Sequence, residues 1–351
     1  MNQETTKKKK GKAWLVVLLV LLLLVLLVVG GVYWVINSKL NLIQYDDGSK
    51  KIDTETVYEV NNDELEIGDL PDAPETEVDP DADKLEILHD DDVLNILLLG
   101  TDERTKDFSD NARADSMMVL SLNTKLHTIK LVSIERGIGV PVPGRNDDWL
   151  THTFRYGGAK LTMDTIKELF RLDLDRYARV NFRVFEEGIN AIGGVDINLT
   201  QAEYDYLGEV QRSTGDTSTP LQVGYNHVNG NIARQYCQLR EIDSDWKRIE
   251  RQRKVIQAAV KQASTLSLDQ LNNLVDTILP MIRTNLTKGE IASLMLEVPG
   301  FLANGLEIEN MTIPTRDTCW NTVGVDGRKM IGVDFDANAR ILRKLFYGVE
   351  E

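Results

Sequence analysis

The sequence predicts an α/β fold: a central mixed sheet flanked by helices on both faces, an αβα sandwich, preceded by one transmembrane helix. Three observations predict it. From residue 93 onward, apolar runs of strand length alternate with segments of helical period, and such elements pack as layers. Residues 14–36 hold no charge and are dominated by Leu and Val. Across 351 residues, 42% are hydrophobic, enough for a sizeable core, which excludes wholesale disorder.

The apolar stretch comes first. Its 23 residues reach about 34 Å as a helix, enough for a hydrocarbon core of about 30 Å. Trp14 marks one end and Tyr33-Trp34 the other, as interfacial aromatics do. Lys7 to Lys10 and Lys12 precede it, so the positive-inside rule puts residues 1–12 in the cytoplasm and everything after residue 37 outside. A cleaved signal peptide would be shorter in its apolar part and followed by an Ala-x-Ala-like site, which is missing. The expected layout is a cytoplasmic tail (1–12), a transmembrane helix (13–36), an acidic extracellular linker (37–92) and one catalytic domain (93–351).

The net charge of −15 is concentrated in the linker. Residues 61–92 hold fourteen acids and one Lys, whereas residues 93–351 sum to −4. Pro71, Pro74 and Pro80 break any helix there, and like charges extend the chain, so the segment reads as a spacer. Asp79, Asp81 and Asp83 have the spacing that opens a calcium loop, but Lys84 stands where that loop needs Gly and Asp90 where it needs Glu.

Within the domain, residues 94–99 form an apolar run ending at Gly100, read as a buried strand. Residues 116–122 and 128–134 read as two more strands joined by a turn at 123–127. A helix is expected over 159–170, with Leu161, Ile166, Leu169 and Phe170 on one face. A strand (177–182), a helix (186–191) and a strand (195–199) follow. Helices are expected over 228–240 and 246–264, then around 268–279 and 287–298. A strand at 311–314 and a helix at 337–346 close the chain.

Several chemistries are excluded. The chain has no P-loop, no His-Glu-x-x-His and no Gly-x-Ser-x-Gly. Its four His lack ligand spacing, which argues against a zinc enzyme. The acidic balance and the absence of a basic stripe argue against nucleic acid as a partner. Two Cys, Cys237 and Cys319, are open to either a bridge or two unpaired buried thiols.

What remains is charge at strand ends. Asp102 follows the first strand, and Arg104 comes two residues later. Arg113 and Asp115 precede the second strand, and Arg136 closes the third. Ligands bind in the crevice at strand ends of open α/β sheets. Two carboxylates with several guanidiniums there fit a diphosphate held by Mg²⁺, since Mg²⁺ takes one or two carboxylates plus phosphate oxygens, and Arg presents a planar donor fork. A second cluster holds Arg240, Asp243, Asp245, Arg248, Arg251 and Gln252. Arg248, Arg251 and Gln252 have the spacing of one helical face. Asp245 sits where a helix N-cap would be, or else serves as a general base on an attacking hydroxyl.

Together these clusters resemble the LytR-CpsA-Psr family of bacterial membrane-anchored phosphotransferases. Its Gly-x-Asp-x-Arg motif matches Gly100 to Arg104. Its Arg-Ser-Asp-Thr motif resembles Arg113 to Ser116, and Ser-Ile-Pro-Arg-Asp resembles Ser133 to Gly137. Asn-x-Ala-Tyr-x-x-Gly-Gly resembles Thr151 to Gly158, and Leu-Gly-Gly-Val resembles Ile192 to Val195. Arg-x-Arg then Asp-x-x-Arg-x-x-Arg-Gln resembles Gln238 to Arg240, then Asp245 to Gln252. Four positions depart: Gln238 replaces an Arg, Glu135 a Pro, Gly137 an Asp and Thr151 an Asn.

The resemblance implies an enzyme on the outer face of a bacterial, Gram-positive cell membrane. It would move a glycopolymer such as teichoic acid or capsule from a polyprenyl-pyrophosphate carrier to peptidoglycan, forming a phosphodiester. It also implies a hydrophobic tunnel for the prenyl tail, with residues 256–266 and 271–279 as candidate walls. Asp102 and Asp115 would bind Mg²⁺, with Mn²⁺ as a substitute. Arg113, Arg136, Arg240 and Arg248 would clamp the pyrophosphate and Gln252 hydrogen-bond it, with Arg104 and Arg251 in support and Asp245 as base. A polyprenyl-pyrophosphate hydrolase, or a lipid-binding regulatory module without catalysis, would use the same residues.

Overall fold

The computed structural model describes residues 37–56, 59–61, 67–68, 70–74, 85–103, 108–109, 111–215 and 219–349. The expected tail and transmembrane helix, Arg104, and Asp79, Asp81 and Asp83 lie outside the described residues. Among the described residues, no helix is long and apolar enough to cross a membrane.

Seven strands make the main sheet: β1 (Gln44–Tyr45), β2 (Val93–Thr101), β3 (Ala114–Asn123), β4 (Thr128–Ile134), β5 (Arg176–Asn181), β6 (Arg283–Thr284) and β7 (Ile308–Ile313). Their order across the sheet is β1-β6-β5-β2-β3-β4-β7. The β2-β3-β4 meander is antiparallel, whereas β5 joins β2 and β7 joins β4 in parallel, so the sheet is mixed. Eight described helices follow: α1 (Leu150–Phe170), α2 (Phe182–Ala191), α3 (Gln201–Thr214), α4 (Gly230–Gln238), α5 (Asp245–Ala263), α6 (Leu268–Ile278), α7 (Lys288–Ala303) and α8 (Phe335–Tyr347).

Strand alternation decides which side chains meet which layer. Leu97, Met117, Val119 and Val132 enter one core with Phe154, Ile166 and Phe170 of α1 and Leu342 and Phe346 of α8. The second core joins Ile189 of α2, Ile232 and Tyr236 of α4 and Val255 of α5 to the hairpin Val195–Leu199/Gly224–Val228. Each core removes its side chains from water, at roughly 1.5–3 kcal/mol per large aliphatic or aromatic group. The αβα layering read from the sequence is the observed one.

Several elements differ from the expected reading. Residues 37–56 do not hang free: Leu40 and Ile43 are buried, β1 pairs in parallel with β6, and Asp46 meets Arg283 at 3.1 Å. The folded unit therefore begins before residue 93, because apolar side chains and an unsatisfied edge strand outweigh local acidity. The helix expected over 159–170 starts at Leu150 and continues through a break at Gly158 (φ 72°). An added Cβ there would lie 2.7 Å from the Gly48 carbonyl oxygen, so this position suits glycine alone. The helix over 201–214 and the hairpin Cys319–Val323/Lys329–Val333 have no counterpart in the expected elements.

Candidate active site

The site grows from the ends of β2, β3 and β4. At Gly100 and Thr101 a bulge shifts the β2–β3 register, bending the strand just before Asp102. Asp102 then turns back on its own loop: Oδ1 accepts the Arg113 backbone N–H at 3.0 Å, and Oδ2 lies 3.5 Å from Arg113 Nε. Two residues further, on β3, Asp115 Oδ1 accepts from Arg136 Nη1 at 2.8 Å. Thr151 fixes this corner from α1. Its N–H donates to the Arg136 carbonyl at 3.1 Å and its hydroxyl to the Ala114 carbonyl at 2.8 Å.

The second cluster meets the first across the opening of α5. Ser244 is the N-cap, so Asp245 is the first helical residue rather than the cap. Arg136 donates from Nε and Nη2 to the two Asp245 oxygens, each at 3.1 Å. Arg248 Nη2 reaches Asp245 Oδ2 and the Asp115 carbonyl, both at 3.1 Å. Gln252, one turn on, accepts from Ser116 Oγ at 3.0 Å and donates to the Cys237 carbonyl at 3.4 Å. Two groups far apart in sequence thus share one set of bonds.

Of these residues Arg113, Asp115, Ser116, Arg136, Arg248 and Gln252 line a cavity of about 810 Å³ between the sheet and helices α2 to α5, whose strand-end side is its mouth. Five arginines line it (Arg113, Arg136, Arg234, Arg240 and Arg248), against the carboxylates of Asp115 and Glu241. Its apolar lining comes from Leu98 and Met118 of the sheet and from Phe182, Phe185, Val210 and Ile256 of the helices. Of the stretches read as tunnel walls, Ile256 contributes, whereas α6 gives the cavity no lining residue and its Leu274 packs into the second core.

Two expected roles change. Arg251 does not face the cavity. It is buried and tied to Glu203 of α3 at 2.7 Å, to Asp243, and to the Leu239 carbonyl at 2.8 Å. Its donors are committed to holding α3 and the 239–243 loop to α5. Asp245 is poorly suited to be the base. Burial alone would raise its pKa, but the Arg248 and Arg136 charges and the Arg136 hydrogen bond hold the carboxyl below its ordinary value. Both its oxygens accept hydrogen bonds from the guanidiniums of Arg136 and Arg248.

Sequence reasoning missed Arg234, Phe182, Phe185 and Tyr206 as cavity residues. The i, i+3 spacing of Phe182 and Phe185 on α2 and the i, i+4 spacing of Arg234 and Gln238 on α4 were the available signals. Glu135, noted only as a departure, is fully buried behind the arginines. Burial and the nearby Asp245 charge push its carboxyl up to about 8, against the opposing pull of Arg248, Arg136 and Arg316. Cys237, on the cavity wall, and Cys319 are separate free thiols, both buried.

The fold is an αβα sandwich with a cavity, beside the strand ends, lined by five arginines and by apolar side chains. The chain belongs to the LytR_cpsA_psr family, whose profile matches residues 47–345. It is 35% identical over 259 residues to a protein of Oceanobacillus iheyensis named polyisoprenyl-teichoic acid–peptidoglycan teichoic acid transferase TagU, spanning 65% of this chain and 75% of that one. It is 32% identical over 201 residues to the Bacillus subtilis transferase TagT of the same description, spanning 56% of this chain and 61% of that one. Among solved structures, TagT bound to LIIa-WTA superposes with a TM-score of 0.58 at 24% identity, over 81% of this chain and 97% of that one. A Streptococcus agalactiae protein, gbs0355, gives 0.60 at 20% identity, over 74% and 89%. At these identities the two structures speak for the fold.

Proposed function

We propose that this protein is a membrane-anchored extracellular phosphotransferase. It moves a glycopolymer from a polyprenyl-pyrophosphate carrier to a peptidoglycan hydroxyl. The observation that carries this reading is the cavity itself, which combines five arginines with a set of apolar side chains on one wall surface. A prenyl tail matches the apolar side chains and a pyrophosphate matches the arginines. The transferase names of the relatives point the same way.

The chemistry follows from that placement. Phosphoryl transfer is carried mostly by positioning and charge stabilisation. Asp245 holds the Arg136 and Arg248 guanidiniums in place at the cavity wall, so their positive charge is fixed there before a phosphate arrives. Arg113 and Arg240 close the mouth around the same group. An acceptor hydroxyl oxygen attacks the glycan-side phosphorus, and the bond to the bridging oxygen breaks. Polyprenyl phosphate leaves with the electron pair, and the hydroxyl proton passes to solvent at the mouth.

A divalent cation fits the donor set. Among the described residues, no three His, Cys, Asp or Glu gather as an all-protein metal cage. Asp102 and Asp115 instead offer two carboxylates beside the phosphate-binding arginines, as suits Mg²⁺ completing its shell with phosphate and water. When bound, the ion neutralises phosphate charge.

The test is a purified assay with a polyprenyl-pyrophosphate saccharide and a glycan acceptor. Formation of an acceptor phosphodiester, lost about 100-fold or more in Arg136→Ala while the fold is kept, supports the reading. Release of saccharide phosphate at an equal rate without acceptor would make the protein a hydrolase instead.

A further inference from the structure

We propose that Arg234 is a substrate-binding residue, giving the α4 wall of the cavity the positively charged anion contact that the neutral Gln238 amide does not supply. The inference rests on the transferase reading and deepens it.

The sequence sets the problem. Gln238 stands where the family pattern has an arginine, so one guanidinium is missing from this wall. The structure shows where a guanidinium returns. Arg234 lies one helical turn upstream on α4, and both residues line the cavity. Arg234 Nη1 donates to Gln238 Oε1 at 2.6 Å, Nη2 donates to Asn231 Oδ1 at 3.0 Å, and Nε donates to Glu186 of α2. A guanidinium has five N–H donors, and these bonds take three. Two remain on a side chain that is 22% exposed at the cavity wall.

The direction of the Gln238 bond matters. Its carbonyl oxygen is spent orienting Arg234, so Gln238 acts through the arginine. Three acceptors around one fork fix its plane before any ligand arrives, which lowers the ordering cost of binding. A planar cation with two free donors beside a phosphate-clamping mouth selects a phosphate ester, here a phosphate of the lipid-linked donor.

The test compares KM and kcat for a polyprenyl-pyrophosphate saccharide donor across variants, with thermal melting alongside. Arg234→Ala is expected to raise KM about tenfold or more, as loss of a charge-assisted hydrogen bond should. Adding Gln238→Arg to Arg234→Ala returns a guanidinium to the wall but cannot restore the tie to Glu186, so KM should recover while any melting loss persists. Gln238→Glu leaves Arg234 in place yet ties up its donors, and it should also raise KM. An unchanged KM in Arg234→Ala or Gln238→Glu, or no recovery in a folded double variant, overturns the proposal. Arg136→Ala serves as control. If the wild type neither binds nor turns over the donor, the transferase reading falls first. If Arg136→Ala loses activity while Arg234→Ala keeps its KM, only the Arg234 assignment fails.

Discussion

Asp245 grips the Arg136 guanidinium through both carboxylate oxygens, Oδ2 from Nε and Oδ1 from Nη2, each at 3.1 Å. The same carboxylate also accepts from Arg248. One buried anion therefore holds two buried cations in place at the mouth of the cavity.

Asp245→Asn should break that arrangement without removing bulk. An amide keeps one acceptor and no charge, leaving Arg136 with Asp115 as its remaining ion-pair partner and Arg248 without its buried counter-charge. The expected cost is about 3–5 kcal/mol of unfolding free energy, read by urea denaturation, together with loss of donor binding. A variant with wild-type stability that lost only the acidic limb of the pH–rate profile would restore Asp245 as the proton acceptor.

Glu135 should give stability a pH dependence whose sign follows from its raised carboxyl. Its carboxyl is raised from 4.5 to about 8, so between those values the folded protein holds a proton that the unfolded chain has released. This contribution is complete below the unfolded value and is lost as pH rises toward the folded one, with a slope of at most about 1.4 kcal/mol per pH unit. Glu135→Gln removes the titration and should flatten unfolding free energy between about pH 5 and 8. Equal slopes in wild type and variant would refute the assignment.

Magnesium dependence separates the roles of the two carboxylates and the arginines. Transfer should fall on chelation and return with Mg²⁺ or Mn²⁺. Asp102→Ala and Asp115→Ala should each raise the Mg²⁺ concentration needed for half-maximal rate by about tenfold or more. Transfer that survives exhaustive chelation at the wild-type rate would remove the ion from the reaction.

The site was legible where charge interrupts apolar runs. Asp102, Arg113, Asp115 and Arg136 all fall where strands β2 to β4 begin or end, and the structure gathers them there. Helix spacing was read too coarsely. At about 100° per residue, Gln252 stays within about 40° of Arg248, whereas Arg251 is turned about 60° to the other side. That turn carries it to Glu203 instead of the cavity. Helix α3 was missed for lack of a strong apolar stripe, although Thr200 and Glu203 form the capping box that marks its start. Strand β1 was invisible for a different reason: its partner β6 lies far along the chain, and two residues carry no period of their own.

The apolar lining should measure its lipid by length. Ile256 of α5 lies on the cavity wall together with Met118 and Phe185. Ile256→Trp adds ring volume to space that a prenyl tail would occupy, without touching the arginines at the mouth. Long-chain polyprenyl donors should then show KM raised about 15- to 60-fold, as displacing two or three buried CH₂ groups predicts. Donors with a tail of a single isoprene unit should change less, because Ile256 lies one helical turn, about 6 Å, beyond Gln252. Equal losses for long and short donors would mean that the larger side chain disturbs the mouth rather than the tunnel. No loss for either would place the prenyl chain outside this cavity.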